Sequence, residues 1–101
     1  MYVSRLSFHS LPGRADEVEQ ALRKLQDMAM AAGGGRPRIL RTHFASIGAA
    51  DVVFEQEMPD LAAVEKQLNN VNEHSEFREW RRQISTLLWQ APKREIYLLV
   101  E

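Results

Sequence analysis

No cysteine occurs among the 101 residues, which excludes a disulfide framework, a thiolate nucleophile and a thiolate metal site. Neither sign of charge is in excess: 13 Lys and Arg face 14 Asp and Glu, a net charge of −1. The chain therefore has no overall field to draw in nucleic acid or an anionic membrane. No apolar run approaches the ~20 residues of a spanning helix, and the N-terminus lacks a basic-then-apolar signal pattern. The expectation is a cytoplasmic protein. Proline and glycine are scarce, four and five residues, so those present act as punctuation. What remains is ordinary for one globular domain over 1–101: 45% apolar and 27% charged residues.

Four segments alternate apolar and polar residues with the period of a β-strand, namely Tyr2–Ser10, Ile39–Ile47, Asp51–Met58 and Arg94–Glu101. One parity collects Leu6, Phe8, Leu40, Phe44, Val52, Phe54, Ile96, Leu98 and Val100. The other collects Arg5, Ser7, His9, Arg41, His43, Glu55, Glu57, Glu95 and Tyr97. Between them, Leu11-Pro12-Gly13-Arg14 is a turn and helix-start signal. Ala15 to about Ala32 then carries a helical stripe of Val18, Ala21, Leu22, Leu25, Met28 and Ala29. Asp16, Glu17 and Glu19 suit the positive end of that helix, and Gly33-Gly34-Gly35 is expected to end it. Gly48-Ala49-Ala50 suits a short hairpin between the middle strands. Pro59-Asp60 opens a second helix with Leu61, Val64, Leu68 and Val71 inward, and the weak helix formers Asn69, Asn70 and Asn72 interrupt it. A further segment, about Ser75–Trp89, buries Phe77, Trp80 and Ile84 and is capped by Ser75 or Asn72.

The order is βαββαβ with the second helix split. The fold class is α+β, a ferredoxin-like four-stranded antiparallel sheet in the order 4-1-3-2 with helices on one face. Two helices cover only one sheet face. The other face mixes Val3, Ile39, Val53, Tyr97 and Leu99 with charges. Such a mixture fits a second copy packed sheet to sheet, a two-fold homodimer. The alternative is a monomer whose Arg5, Arg41, Glu55 and Glu57 form cross-strand ion pairs on a wet face.

Several short motifs carry a resemblance. The first strand runs into Leu11-Pro12-Gly13-Arg14, the hairpin is followed by Glu57-Met58-Pro59-Asp60-Leu61, and a late helix holds Glu76-Phe77-Arg78-Glu79-Trp80-Arg81. Together they resemble the dimeric α/β-barrel superfamily, and within it the NIPSNAP-type and antibiotic-biosynthesis-monooxygenase-type domains. The resemblance implies a homodimer joined through the open sheet face. It also implies a cavity for a small hydrophobic or aromatic molecule between that face and the nearby helices, and cofactor-independent oxidation or isomerisation. Haem degradation in that superfamily uses an asparagine on the first strand, a tryptophan on the third and a late-helix histidine. This chain has no asparagine on its first strand, Phe54 on its third, and Trp80 on the late helix, so no haem or other cofactor is expected.

The candidate proton-handling residues are His9, His43 and Tyr97, because imidazole titrates near neutrality and a phenol or enol must lose a proton before it reacts with oxygen. Arg5, Arg41, Glu55, His74 and Trp80 are the candidate ligand contacts. Metal binding is not expected: His9 and His43 lie on strands two positions apart, ~10 Å, in no ligand spacing. The bland account is that both histidines satisfy hydrogen bonds on a polar sheet face, and that Trp80 and Trp89 are packing residues. RNA binding by this topology needs aromatics where the third strand has Val53, Glu55 and Glu57. Gly33-Gly34-Gly35-Arg36 follows a helix, whereas a phosphate loop follows a strand. The two surviving readings are a small-molecule enzyme and a non-catalytic structural or ligand-binding homodimer. They differ in whether the protein encloses a cavity holding a histidine or fills that space with Arg–Glu pairs.

Overall fold

The computed structural model describes residues 1–32 and 36–101. The elements run β1 (Tyr2–Phe8), α1 (Ala15–Ala31), β2 (Arg38–Arg41), β3 (Val52–Met58), α2 (Leu61–Asn72), α3 (Ser75–Ser85) and β4 (Lys93–Leu98). Their sheet is antiparallel in the order β2-β3-β1-β4, the expected 4-1-3-2 order read from the other edge. This is the ferredoxin-like arrangement. The helices lie on one face, packed chiefly over β2 and β3, and the Cα extents are 37 × 36 × 18 Å. The molecule is a two-layer slab with one broad sheet face uncovered.

The stripe of α1 does what its spacing predicts: Val18, Leu22, Leu25 and Ala29 are buried against Phe8, Val52, Phe54, Trp80 and Ile84. Each of the Val and Leu side chains contributes ~1.5–3 kcal/mol by leaving water. The helix starts without a side-chain cap, while Asp16 and Glu17 occupy its first turn. The glycines expected to end it, Gly33 to Gly35, lie outside the described residues. Asp60 caps α2 by accepting a hydrogen bond from the Ala63 amide at 2.7 Å. The cap of α3 differs from expectation. Its N-cap is His74, whose side chain makes no capping bond.

The structure corrects the reading of β2. Pairing extends only over Arg38–Arg41, and 42–51 is a loop instead of strand and three-residue turn. Thr42 Oγ1 ties to the Ala50 carbonyl, and Gly48 takes a positive φ of 90°. Phe44 and Ile47 consequently stand in the open, 89% and 107% exposed. The parity is inverted as well. Ile39 pairs with Phe54 and Arg41 with Val52, so both share the helix-covered face, while Arg38 and Leu40 take the open one. A one-residue shift of register reverses every side chain of a strand. Arg-Ile-Leu-Arg, with adjacent apolar residues, does not declare which register is right. At the other edge, Ile96 and Leu98 have the covered-side parity expected of them but remain 42% and 61% exposed, because the helices sit over the opposite half of the sheet.

Candidate functional site

The open face is organised in rows fixed by the register. Its central row runs Arg38, Glu55, Arg5, Glu95 across β2, β3, β1 and β4, alternating in sign. Arg5 Nε donates to Glu55 Oε2 at 2.8 Å, and Arg38 Nη2 donates to Glu55 Oε1 at 3.0 Å. Arg5 lies over the Tyr97 ring at 5.1 Å, and Tyr97 Oη donates to Glu95 Oε2 at 2.6 Å. That bond to Glu95 is the main reason the phenol's pKa is raised, so Tyr97 stays protonated. Val53 stands in the next row between Leu40 and Ser7.

Glu55 is nearly inaccessible, with 4% exposure. Burial pushes its carboxyl upward, but the guanidinium bonds from Arg38 and Arg5 outweigh burial and leave the pKa below its ordinary value. A carboxylate whose pKa is lower folded than unfolded stabilises the fold above the unfolded value of about 4.3. That contribution disappears as pH falls through the depressed folded value. Glu55→Gln is therefore expected to be less stable than the parent at pH 7, with the gap closing in acid. Urea unfolding at pH 7 and pH 3 measures it, and a gap that does not depend on pH defeats this account.

The expected site residues do not converge. His9 lies just past β1 and is buried; its Nε2 contacts the Gly48 carbonyl at 3.0 Å and its Nδ1 contacts Gln90 Nε2 at 2.7 Å. Both ring nitrogens are engaged, Nε2 by a carbonyl oxygen, which can only accept, and Nδ1 by the Gln90 side-chain amide. Trp89 closes over it edge-on, with centroids 5.4 Å apart. His43 is on the exposed 42–51 loop beside Phe44, at the same end of the sheet as His9. Tyr97 pairs with Val3 at the opposite end, six residues or about 20 Å along the strand from His9. Arg41, on the covered side, bonds Asp16 at 2.9 Å and Glu19 at 3.1 Å on α1. Trp80 belongs to the helix layer, stacked on Phe77 with Nε1 donating to the Ala21 carbonyl at 2.6 Å. His74 borders a cleft with Met28, Val71 and Phe77. Only Arg5, Glu55 and Tyr97 form one cluster.

A different group does converge, on the covered face. Between β1, β3 and β4 below and α1 and α2 above runs a cleft that is open to solvent at its mouth. Leu6, Leu25, Ala29, Phe54, Leu68 and Val71 give it apolar walls, while Ser4, Gln56, Gln67 and Arg94 bring polar groups. Ser4 and Gln56 stand opposite one another in the register, and Arg94 Nη1 donates to Ser4 Oγ at 3.1 Å. The Arg94 residue is exposed along the sheet edge, yet its guanidinium turns inward to buried Ser4, and desolvation lowers its pKa. Apolar walls with a few convergent polar groups are the usual make-up of a small-molecule site. None of the eight residues singled out in the sequence lines this cleft. Arg94, at strand parity among Ile96 and Leu98, was the available signal: a cation on an otherwise apolar stripe.

No family model matches the sequence, and no curated protein does. Solved structures match it in fold. A candidate antibiotic biosynthesis monooxygenase from Nitrosomonas europaea superposes with a TM-score of 0.73 at 16% identity, covering 100% of both chains. An uncharacterised NIPSNAP domain protein from Burkholderia xenovorans gives 0.79 at 13% identity over 99% of this chain and 95% of that one. A protein from Pseudomonas aeruginosa gives 0.72 at 21% identity over 99% and 94%. The chain thus has the fold of the antibiotic biosynthesis monooxygenase-like and NIPSNAP proteins that its strand and helix motifs resemble.

Proposed function

We propose that this chain is a homodimeric binding protein for a small apolar or aromatic molecule, received in the cleft between the sheet and α1 and α2. The observation that carries this reading is the cleft's lining, six apolar side chains with Ser4, Gln56, Gln67 and Arg94. The open face, with its Arg38–Glu55–Arg5–Glu95 row, is the proposed subunit contact. Arg38, Glu55 and Arg5 are paired within the chain and so need no counter-charge from the twin.

Oxidation of the bound molecule is the second reading, favoured by the monooxygenase name of the Nitrosomonas europaea neighbour and by one local feature. The Arg94 cation at the cleft would stabilise the oxyanion of a deprotonated substrate. Binding is the better supported function, because His9, His43 and Tyr97, the proposed proton carriers, stand away from the cleft.

The test fills the cleft. Leu68 is half-buried at its wall, and Leu68→Trp adds an indole there while leaving the sheet untouched. N-phenyl-1-naphthylamine, a neutral apolar dye, is expected to gain fluorescence on binding the parent and to bind the variant at least about tenfold more weakly, ~1.4 kcal/mol. Equal binding by both proteins defeats the assignment of this cleft.

A further inference from the structure

Resting on that reading of the cleft, we infer that its natural ligand carries a carboxylate, received by Arg94 with help from Ser4 and Gln67. Three observations on different elements agree. Among the described residues the Arg94 guanidinium has one hydrogen bond, to Ser4 Oγ, and no carboxylate pairs with it, whereas the open-face arginines Arg5 and Arg38 are both bound to Glu55. A guanidinium offers five N–H donors in a planar fork, so most of this one's donors remain to be used. Among the described residues the Gln67 amide nitrogen, buried on the same cleft, has no hydrogen-bond partner. An amide donor withdrawn from water and left unpaired is costly, and a lone pair of a ligand oxygen would remove that cost. Ser4, 8% exposed, accepts from Arg94 and keeps its own hydroxyl proton to donate.

The guanidinium, the Gln67 amide nitrogen and the Ser4 hydroxyl can each donate, and the rest of the lining is apolar apart from Gln56. Donors converging on a space without an acid of the protein's own call for an acceptor that is negatively charged. The arginine fork matches the two oxygens of a carboxylate in a way that an ammonium does not. The apolar wall of Leu6, Leu25, Phe54 and Val71 then receives the body of the ligand. An acid with a short apolar or aromatic body satisfies both halves of the cleft.

Benzoate and its neutral isostere benzamide separate the charge from the ring. Titrated into the 15N-labelled protein, both are expected to shift amide resonances of α2 around Gln67 and Leu68, with benzoate binding at least about tenfold more tightly. In Arg94→Gln that preference is expected to vanish while benzamide affinity stays within about twofold. In Arg94→Lys, which keeps a point charge without the fork, an intermediate preference is expected. Gln67→Met, which removes the unpaired donor, should weaken benzoate more than benzamide. Equal affinity of the parent for the two compounds, or a preference that survives Arg94→Gln, overturns the carboxylate inference and leaves the cleft assignment standing. If neither compound shifts the α2 resonances, the cleft assignment itself falls, and the inference falls with it.

Discussion

Replacing Trp80 with alanine is expected to lower the melting temperature by at least about 12 °C. The ring is 7% exposed, stacked on Phe77 with centroids 5.7 Å apart, and its Nε1–H is held by the Ala21 carbonyl. It joins α3 to α1 and thereby holds the helix layer together. Removing a buried indole costs ~3–5 kcal/mol, and each kcal/mol shifts the midpoint of a domain this size by about 4–8 °C. Two controls isolate the cause. Trp80→Phe keeps an aromatic ring in the stack but loses the hydrogen bond and part of the indole's buried volume, so its loss is expected to fall between those of the two alanine variants. Trp89→Ala removes an indole that is 59% exposed, where surface changes stay near 0.5 kcal/mol. Circular dichroism melts of the three variants suffice. Trp80→Ala and Trp89→Ala melting alike would show that the helix layer is not held as described.

The second large effect concerns assembly. The parent is expected to sediment at about twice its 11.6 kDa chain mass, and Val53→Lys at the mass of one chain. Val53 is central on the open face, between Leu40 and Ser7, and half-buried within the chain itself. In a lone protomer, a lysine there reaches water and changes stability by less than about 0.5 kcal/mol. Under a twin it must be desolvated, and Glu55, two residues along the same strand face, is already bound to Arg5 and Arg38. An unpaired charge so placed costs several kcal/mol, and 2.7 kcal/mol alone weakens a dimer about a hundredfold. Sedimentation velocity at micromolar concentration decides it, with circular dichroism confirming that the variant folds. A monomeric parent, or a dimeric variant, removes the open face as the subunit contact.

The open face also shows where residue patterns suffice and where they stop. That Arg5 and Glu55 share the open face is readable from strand parity, but alternation leaves registers two residues apart equivalent, so only the structure pairs them. Arg38 takes the open-face place expected of Arg41, since a four-residue edge strand with apolar residues side by side fits either register. His9 continues the parity of β1 on paper. Past Phe8 the chain leaves the sheet, however, and Gly48 and Gln90, both remote in sequence, enclose the ring.

The sequence by itself determined the order of elements, the 4-1-3-2 sheet, the buried stripe of α1 and the split second helix. Each of these follows from local periodicity and from the few ways such elements connect. Tertiary structure alone decided the register of β2, the enclosure of His9 and the meeting of Ser4, Gln56, Gln67 and Arg94. Those four come from β1, β3, α2 and β4, so only packing of the helix layer over the sheet brings them to one cleft. No spacing along a chain encodes such a meeting, because it depends on how far α2 stands from the sheet and on which way an edge arginine turns.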